Sequence, residues 1–138
     1  MNVNPLTTYE GAVPGRKVCE GRISVTQADI DEFCDLFGYD DPAYRRGAPG
    51  GPIAPPSMGL TYGLRLGWEE NVFPPGAIRM GDENIHGKPT RPGDELNTAL
   101  TIVEKFERKD RRFLKYEMIT RNQNGELICS VTFTAIVP

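Results

Sequence analysis

Histidine is almost missing from this 138-residue chain, which has one, His86. A zinc or iron centre built on several imidazoles is therefore excluded, and no metal site is expected. Cysteine is scarce as well. Cys19, Cys34 and Cys129 are odd in number and widely spaced, which fits free thiols in a reducing compartment and neither a disulfide frame nor a metal knuckle. No apolar run approaches ~20 residues, so no membrane span is expected. Residues 1–9 show no basic-then-apolar leader, and the expected location is the cytoplasm. Sixteen Lys and Arg against 19 Asp and Glu give a net charge of −3. That balance leaves no electrostatic footprint for nucleic acid.

What is present is a globular composition, 38% hydrophobic and 25% charged, with a surplus of 15 Gly and 12 Pro. The length predicts one domain over residues 1–138, long enough to bury a core without staples. Residues 1–15, polar and with Pro5 and Pro14, are expected to form an extended arm. Lys17–Val25 alternates loosely as a first strand. Thr26 is a good helix N-cap, with Asp29 three residues on completing an approximate capping box. Ile30, Phe33, Cys34 and Phe37 then make one apolar stripe, and Gly38 supplies the stop. Cys34 and Cys129 lie on apolar faces and read as inert core thiols.

Tyr39 to Pro56 reads YDDPAYRRGAPGGPIAPP, too rich in Pro and Gly for a regular element. A loop this long inside a compact domain is uncommon and is often functional. Pro56 suits the first turn of a second helix running to about Leu66. That helix is apolar nearly all round, so it should be buried. Gly59, Gly63 and Gly67 recur every fourth residue and predict close backbone approach to a sheet. The second half reads as β-structure. Strands are expected over 77–85, 95–107, 113–121 and 127–137. Between them lie Arg91-Pro92-Gly93-Asp94 with type II turn chemistry, a basic turn over 108–112, and Asn124-Gly125 as a hairpin signal. The pattern predicts an α+β domain with an antiparallel sheet.

Four segments in order carry a resemblance across residues 22–137. They are RISVTQADIDEFCDLFG, GYDDPAY, GGPIAPPSMG and IHGKPTRPGDEL. Together they resemble the MaoC-like acyl dehydratases and (R)-specific enoyl-CoA hydratases. The second is similar to that family's Gly-Asp-x-Asn-Pro-x-His. The third is similar to its Pro-Ile-Ala-Pro entry into a central helix, and the fourth to its His-x-Pro-x-Arg-x-Gly-Asp turn.

The resemblance implies a hotdog fold, an antiparallel sheet wrapped round a central helix, working as a homodimer or as a heteromer with another hotdog chain. It implies an acyl thioester as substrate, carried on coenzyme A or acyl carrier protein, with no further cofactor. The implied chemistry adds water to a 2-enoyl thioester, or removes it from a 3-hydroxyacyl thioester. An Asp and a His share the proton traffic.

Alignment on Gly38 and Pro42 puts Tyr39 at the Asp position and Tyr44 at the His position. Such a variant resembles a branch in which this half shapes the substrate tunnel and the partner half brings the dyad. Within the resemblance, the catalytic candidates are Asp40, Tyr44 and His86. Tyr39, Asp41, Ile53, Ala54, Ser57, Met58 and Gly59 are expected to line the substrate site. Any carbonyl-binding amide must come from Ser57, Met58 or Gly59, because Pro55 and Pro56 have no N–H. Arg45 and Arg46 are the phosphate-binding candidates. The competing expectations are a non-catalytic binding or scaffold subunit, and a hotdog enzyme turned to thioester hydrolysis or cyclisation.

Overall fold

A computed structural model describes residues 4–45 and 49–138. The elements are β1 (Arg16–Ser24), α1 (Gln27–Phe37), α2 (Gly59–Glu69), β2 (Ile78–His86), β3 (Glu95–Arg108), β4 (Arg111–Arg121) and β5 (Leu127–Val137), with short 3-10 turns at Pro5–Thr7, Pro42–Tyr44 and Pro56–Met58. All five strands form one antiparallel sheet in the order β1-β3-β4-β5-β2. α2 packs on β1, β3, β4 and β5. This is the hotdog arrangement that the resemblance implied. Among the described residues, no helix is long and apolar enough to cross a membrane.

α1 begins where local chemistry dictates. The Thr26 hydroxyl accepts the Asp29 amide at 3.1 Å, and the Thr26 amide donates to the Asp29 carboxylate at 2.8 Å. A cap of this kind contributes about 1 kcal/mol. Gly38 ends the helix in the left-handed region (φ 73°) and returns its amide to the Cys34 carbonyl. Ile30 and Cys34 are buried as expected, but Phe37 is 61% exposed. Its ring lies tilted against the half-buried Phe33 at the helix end, so the stripe reaches the surface before the helix stops.

α2 starts three residues later than expected, after the Pro56–Met58 turn, and continues to Glu69. Gly59 and Gly63 of its glycine row face the sheet, and Gly67 faces the loop that follows the helix. A Cβ on Gly59 would lie 3.1 Å from Cys129 Sγ, one on Gly63 would collide with Met118, and one on Gly67 with the Phe73 ring. Gly59 and Gly63 therefore let the helix settle on β5 and β4, and Gly67 lets the following loop fold back with Phe73 against it. Leu100, Ile102, Leu114, Tyr116, Met118, Val131 and Phe133 build the core beneath it.

The strands fall within two residues of expectation. The basic turn is tight, Lys109 and Asp110 both having positive φ (50° and 60°). Gly125 (φ 76°) sits in a longer turn closed by Asn122 and Glu126. The N-terminal segment differs from the expected extended arm. Residues 4–15 coil through a 3-10 turn and further turns, with Thr7 and Ala12 buried. The Asn4 side chain caps that turn by accepting the Leu6 amide, which gives the segment a local hydrogen-bonded alternative to extension.

Candidate functional site

The Tyr39–Pro56 loop joins α1 to α2, and its ends are fixed from both sides. The Tyr39 amide donates to the Cys34 carbonyl at 2.9 Å, continuing the cap of α1. The Tyr39 hydroxyl then lies 3.0 Å from Ser57 Oγ, in the turn that leads into α2. Its ring stacks near Phe33 (6.0 Å) and meets Tyr44 edge-on (6.1 Å). Tyr39 and Tyr44, which the resemblance sets at the dyad positions, thus sit beside each other, with Ser57 at hand.

Asp41 has a local task. Its carboxylate accepts the Ala43 amide at 2.9 Å and caps the Pro42–Tyr44 turn. Asp40 is exposed beside it. Tyr44 is half-buried against Val25, Ile30, Cys34 and their neighbours. Burial, then the nearby Asp41 charge, pushes its phenol above the ordinary value. It stays neutral at neutral pH, able to donate a hydrogen bond and unfit to take a proton. Gln27 donates to the Tyr44 carbonyl at 2.9 Å and ties the turn back to α1.

Arg45 is directed into the chain's own acids. Its guanidinium lies 2.5 Å from Asp35 and 3.2 Å from Asp31, and the Asp35 hydrogen bond raises its pKa. A phosphate would have to compete with these carboxylates. Arg46 lies outside the described residues.

The Pro52–Pro56 segment is held by backbone bonds of opposite reach. The Ile53 amide donates to the Ala43 carbonyl at 3.1 Å, and the Ala54 amide to the Thr90 carbonyl at 2.8 Å. Ile53, Ala54, Gly59 and His86 line one small cavity with Ile128 and Cys129. His86, the last residue of β2 and opposite Cys129 in register, is exposed there. The candidates therefore form two groups: Tyr39, Tyr44 and Ser57 in one, and His86 with Ile53, Ala54 and Gly59 in the other.

At the start of α2 the Met58 amide donates to the Pro55 carbonyl, and the Gly59 amide to the Pro56 and Ser57 carbonyls. Those two amides are used inside the turn. Ser57, in the first turn, has an amide that the turn itself does not require, and is the better placed of the three for a ligand carbonyl. Met58 and Gly59 are buried, and Ser57 is exposed.

Two supporting contacts were not foreseen from the residues. Arg91 donates to the carbonyls of Gly50 and Gly51, both at 3.0 Å, and so holds the glycines of the motif loop. Both glycines have positive φ (97° and 105°). Arg91 belongs to the turn segment already singled out, which was the available signal. The buried Tyr62 hydroxyl donates to Thr90 Oγ1 at 3.3 Å and links α2 to the same turn region. Burial raises the thiols of Cys34 and Cys129, and Cys129 Sγ donates to the Gly59 carbonyl.

No family model matches the chain, and no curated protein matches it. Solved structures do. A MaoC-like dehydratase from Rhodospirillum rubrum shares 28% identity and a TM-score of 0.77, over 93% of this chain and 94% of that one. The (R)-hydratase PhaJ1 from Pseudomonas aeruginosa shares 21% identity and a TM-score of 0.78, over 96% of this chain and 86% of that one. The HadBC (3R)-hydroxyacyl-ACP dehydratase complex from Mycobacterium tuberculosis shares 19% identity and a TM-score of 0.66, over 91% of this chain and 98% of that one. The last two likenesses speak to fold alone. With the sheet wrapped on its central helix, near-complete coverage of the first, and the four motifs in order, the chain has the hotdog fold and is similar to the MaoC-like dehydratases.

Proposed function

We propose that this chain is the acyl-thioester-binding subunit of an enoyl-thioester hydratase or 3-hydroxyacyl dehydratase, paired with a second hotdog chain that supplies the Asp and His. The observation that carries this reading is the pair Tyr39 and Tyr44, adjacent in space at the positions where the family has its dyad. Hydration joins the water oxygen to one alkene carbon and a proton to the other. One group must take a proton from water while another gives one. A phenol whose pKa is raised by burial can orient a thioester and cannot act as that base. Ser57, Tyr39 and Tyr44 suit binding, and the Ser57 amide suits the thioester carbonyl.

A partner is supported by β2. It is an edge strand, exposed along its whole length, with Ile78, Met80 and Ile85 each more than half exposed. An open strand edge that carries exposed apolar side chains favours pairing with another chain. HadBC, named as a complex, shows the same fold in a heteromer. In a homodimer, the chemistry would instead fall to Asp40 and Tyr44 with help from His86.

The test is hydration of crotonyl-CoA by the chain alone and mixed with a hotdog protein encoded beside it. Turnover is expected only in the mixture, with thioester binding by the chain alone. Binding without turnover in either case leaves a non-catalytic binding subunit. Absence of both turnover and binding removes the thioester reading.

A further inference from the structure

Charge is laid unevenly along this chain. Between Arg22 and Arg45 there are six acids and no Lys or Arg, whereas residues 105–115 hold six cations and two acids. The fold sets these stretches at opposite ends of β3. The Val25 amide donates to the Asp94 carbonyl at 3.0 Å and the Gly93 amide to the Val25 carbonyl at 2.7 Å, which seats the start of α1 beside the start of the strand. The basic stretch turns after Arg108, the strand's last residue, about 40 Å away at strand rise.

Apolar side chains accompany the charge at both ends. At the acidic end Leu36 is 76% exposed, with the exposed Phe37 beside it. At the basic end a row crosses four strands, Phe106 opposite Phe113, Phe113 opposite Ile136, and Ile136 opposite Ile78. Leu114, Tyr116, Ala135 and Val137 point into the core, so alternation puts this row on the face turned away from α2. Phe106 and Phe113 stack at 4.9 Å. The next pair on that face is Arg108 opposite Arg111. Like charges directly opposite each other are unfavourable. Arg112, on the inner side, is answered by Glu10 and Glu107, but among the described residues Arg108 and Arg111 form no ion pair. At the acidic end Arg45 answers Asp31 and Asp35, while Glu32 is exposed and, among the described residues, unpaired.

We propose that the outer sheet face at the β3–β4 hairpin docks the α1 end of a second copy of this chain, head to tail. Arg108 and Arg111 meet Glu32 and its acidic neighbours, while Leu36 and Phe37 pack on Phe106, Phe113 and Ile136. The occupant is a second copy because the chain carries the complement of this face: acids beside exposed apolar residues, to match cations beside an aromatic row. Within one chain the two surfaces cannot meet, since β3 holds them apart. A contact that uses a different surface on each partner joins copies into a ring or a row. It leaves the β2 edge free, because strand pairing there runs in the plane of the sheet. The inference rests on charge and register and holds whether or not the thioester reading does.

Light scattering on the intact chain over a concentration series, at low and high salt, reads the contact. Mass should rise with concentration at low salt, and the rise should shrink at high salt because exposed charges are screened. The same rise should appear in Met80→Lys combined with Ile85→Lys, which removes pairing at β2. Two sets of reversals test the match. Arg108→Glu with Arg111→Glu makes both ends acidic. Ala28→Lys, Glu32→Lys and Asp35→Lys together put lysines on the exposed face of α1. Each set alone should abolish the salt-sensitive rise, and an equimolar mixture of the two should restore it. Identical mass at both salts throughout the series overturns the proposal. So does a rise that survives either set alone, or that two folded sets fail to restore. If either set does not fold, Leu36→Ser decides: it should move the rise to higher concentration, and an unchanged rise overturns the contact. A chain that binds polyglutamate through Arg108 and Arg111 and never self-associates has a different acidic partner, and the proposal fails.

Discussion

The Tyr39 hydroxyl and Ser57 Oγ lie 3.0 Å apart and join the end of the first helix to the entry of the second. The contact sets the spacing between the dyad positions and the amide of Ser57. Tyr39→Phe removes it while keeping the ring and should weaken acyl-CoA binding up to about tenfold, one hydrogen bond's worth. Isothermal titration with crotonyl-CoA checks this, and unchanged affinity would show that the contact does not shape the site.

Restoring the family residues tests the division of labour more directly. Tyr39→Asp combined with Tyr44→His should give the chain on its own measurable crotonyl-CoA hydration, where the wild type alone has none. Activity is expected to need both changes, since proton removal and donation are separate tasks. A folded double variant that binds the thioester and remains inert would contradict the assignment of these positions.

Gly63 faces β4 so closely that a Cβ would overlap the Met118 side chain, including its Cβ. Alanine is the better helix former by about 1 kcal/mol. Overpacking costs about 1–3 kcal/mol and should prevail. Gly63→Ala should lower the denaturation midpoint, and adding Met118→Ala should recover part of the loss. A midpoint that rises in the single variant would mean that the helix is less tightly seated than described.

Alkaline pH should destabilise the fold. Burial raises the Tyr62 phenol from 10.0 to about 12, its hydrogen bond with Thr90 pulling the other way. Burial, then the charge of Glu70, raises the Cys19 thiol from 9.0 to about 11. Both groups keep their protons in the folded chain at pH values where the unfolded chain has released them. Their contribution is complete below about pH 9 and is lost as pH rises toward about 12. Urea midpoints measured across that range should stay level and then fall. Cys19→Ser should delay the onset, because the lower end of the window belongs to the thiol. Midpoints that hold level to the top of the range would refute the shifts.

The exposed apolar side chains of β2 give the partner proposal a physical handle. Replacing Met80 and Ile85 with lysine places charge on an open edge, a device that blocks strand pairing. The double variant should elute as a smaller species than the wild type in gel filtration with light scattering. Identical mass for the two would move the interface away from β2.

Local features were legible in the residues to the extent that their physics is local. Thr26, Asp29 and Gly38 predict α1 because a cap and a left-handed stop act within four residues. Arg91-Pro92-Gly93-Asp94 predicts its turn, and the structure closes it with the Asp94 amide on the Arg91 carbonyl at 3.0 Å. The glycine row of α2 was readable as a close approach, since a missing side chain has no other use at that spacing. Phe37 was misjudged because periodicity does not say where the neighbouring surface ends. Arg91's hold on Gly50 and Gly51 was missed because forty residues separate the partners.

The sequence by itself therefore determined the elements and the order of the four motifs, with tyrosines at 39 and 44 where the resemblance implies an Asp and a His. Each depends on residue identity and short spacing. Only the tertiary structure decided that β2 pairs with β5, which brings His86 to Ile53, Ala54 and Gly59. It also decided that Arg45 turns to Asp31 and Asp35, that β2 keeps an open edge with Ile78, Met80 and Ile85 exposed, and that the Tyr116 hydroxyl is buried without a hydrogen-bond partner among the described residues. These outcomes follow from which faces meet when the sheet closes on α2. Burial and pairing across long separations are properties of that packing, and no local pattern encodes them.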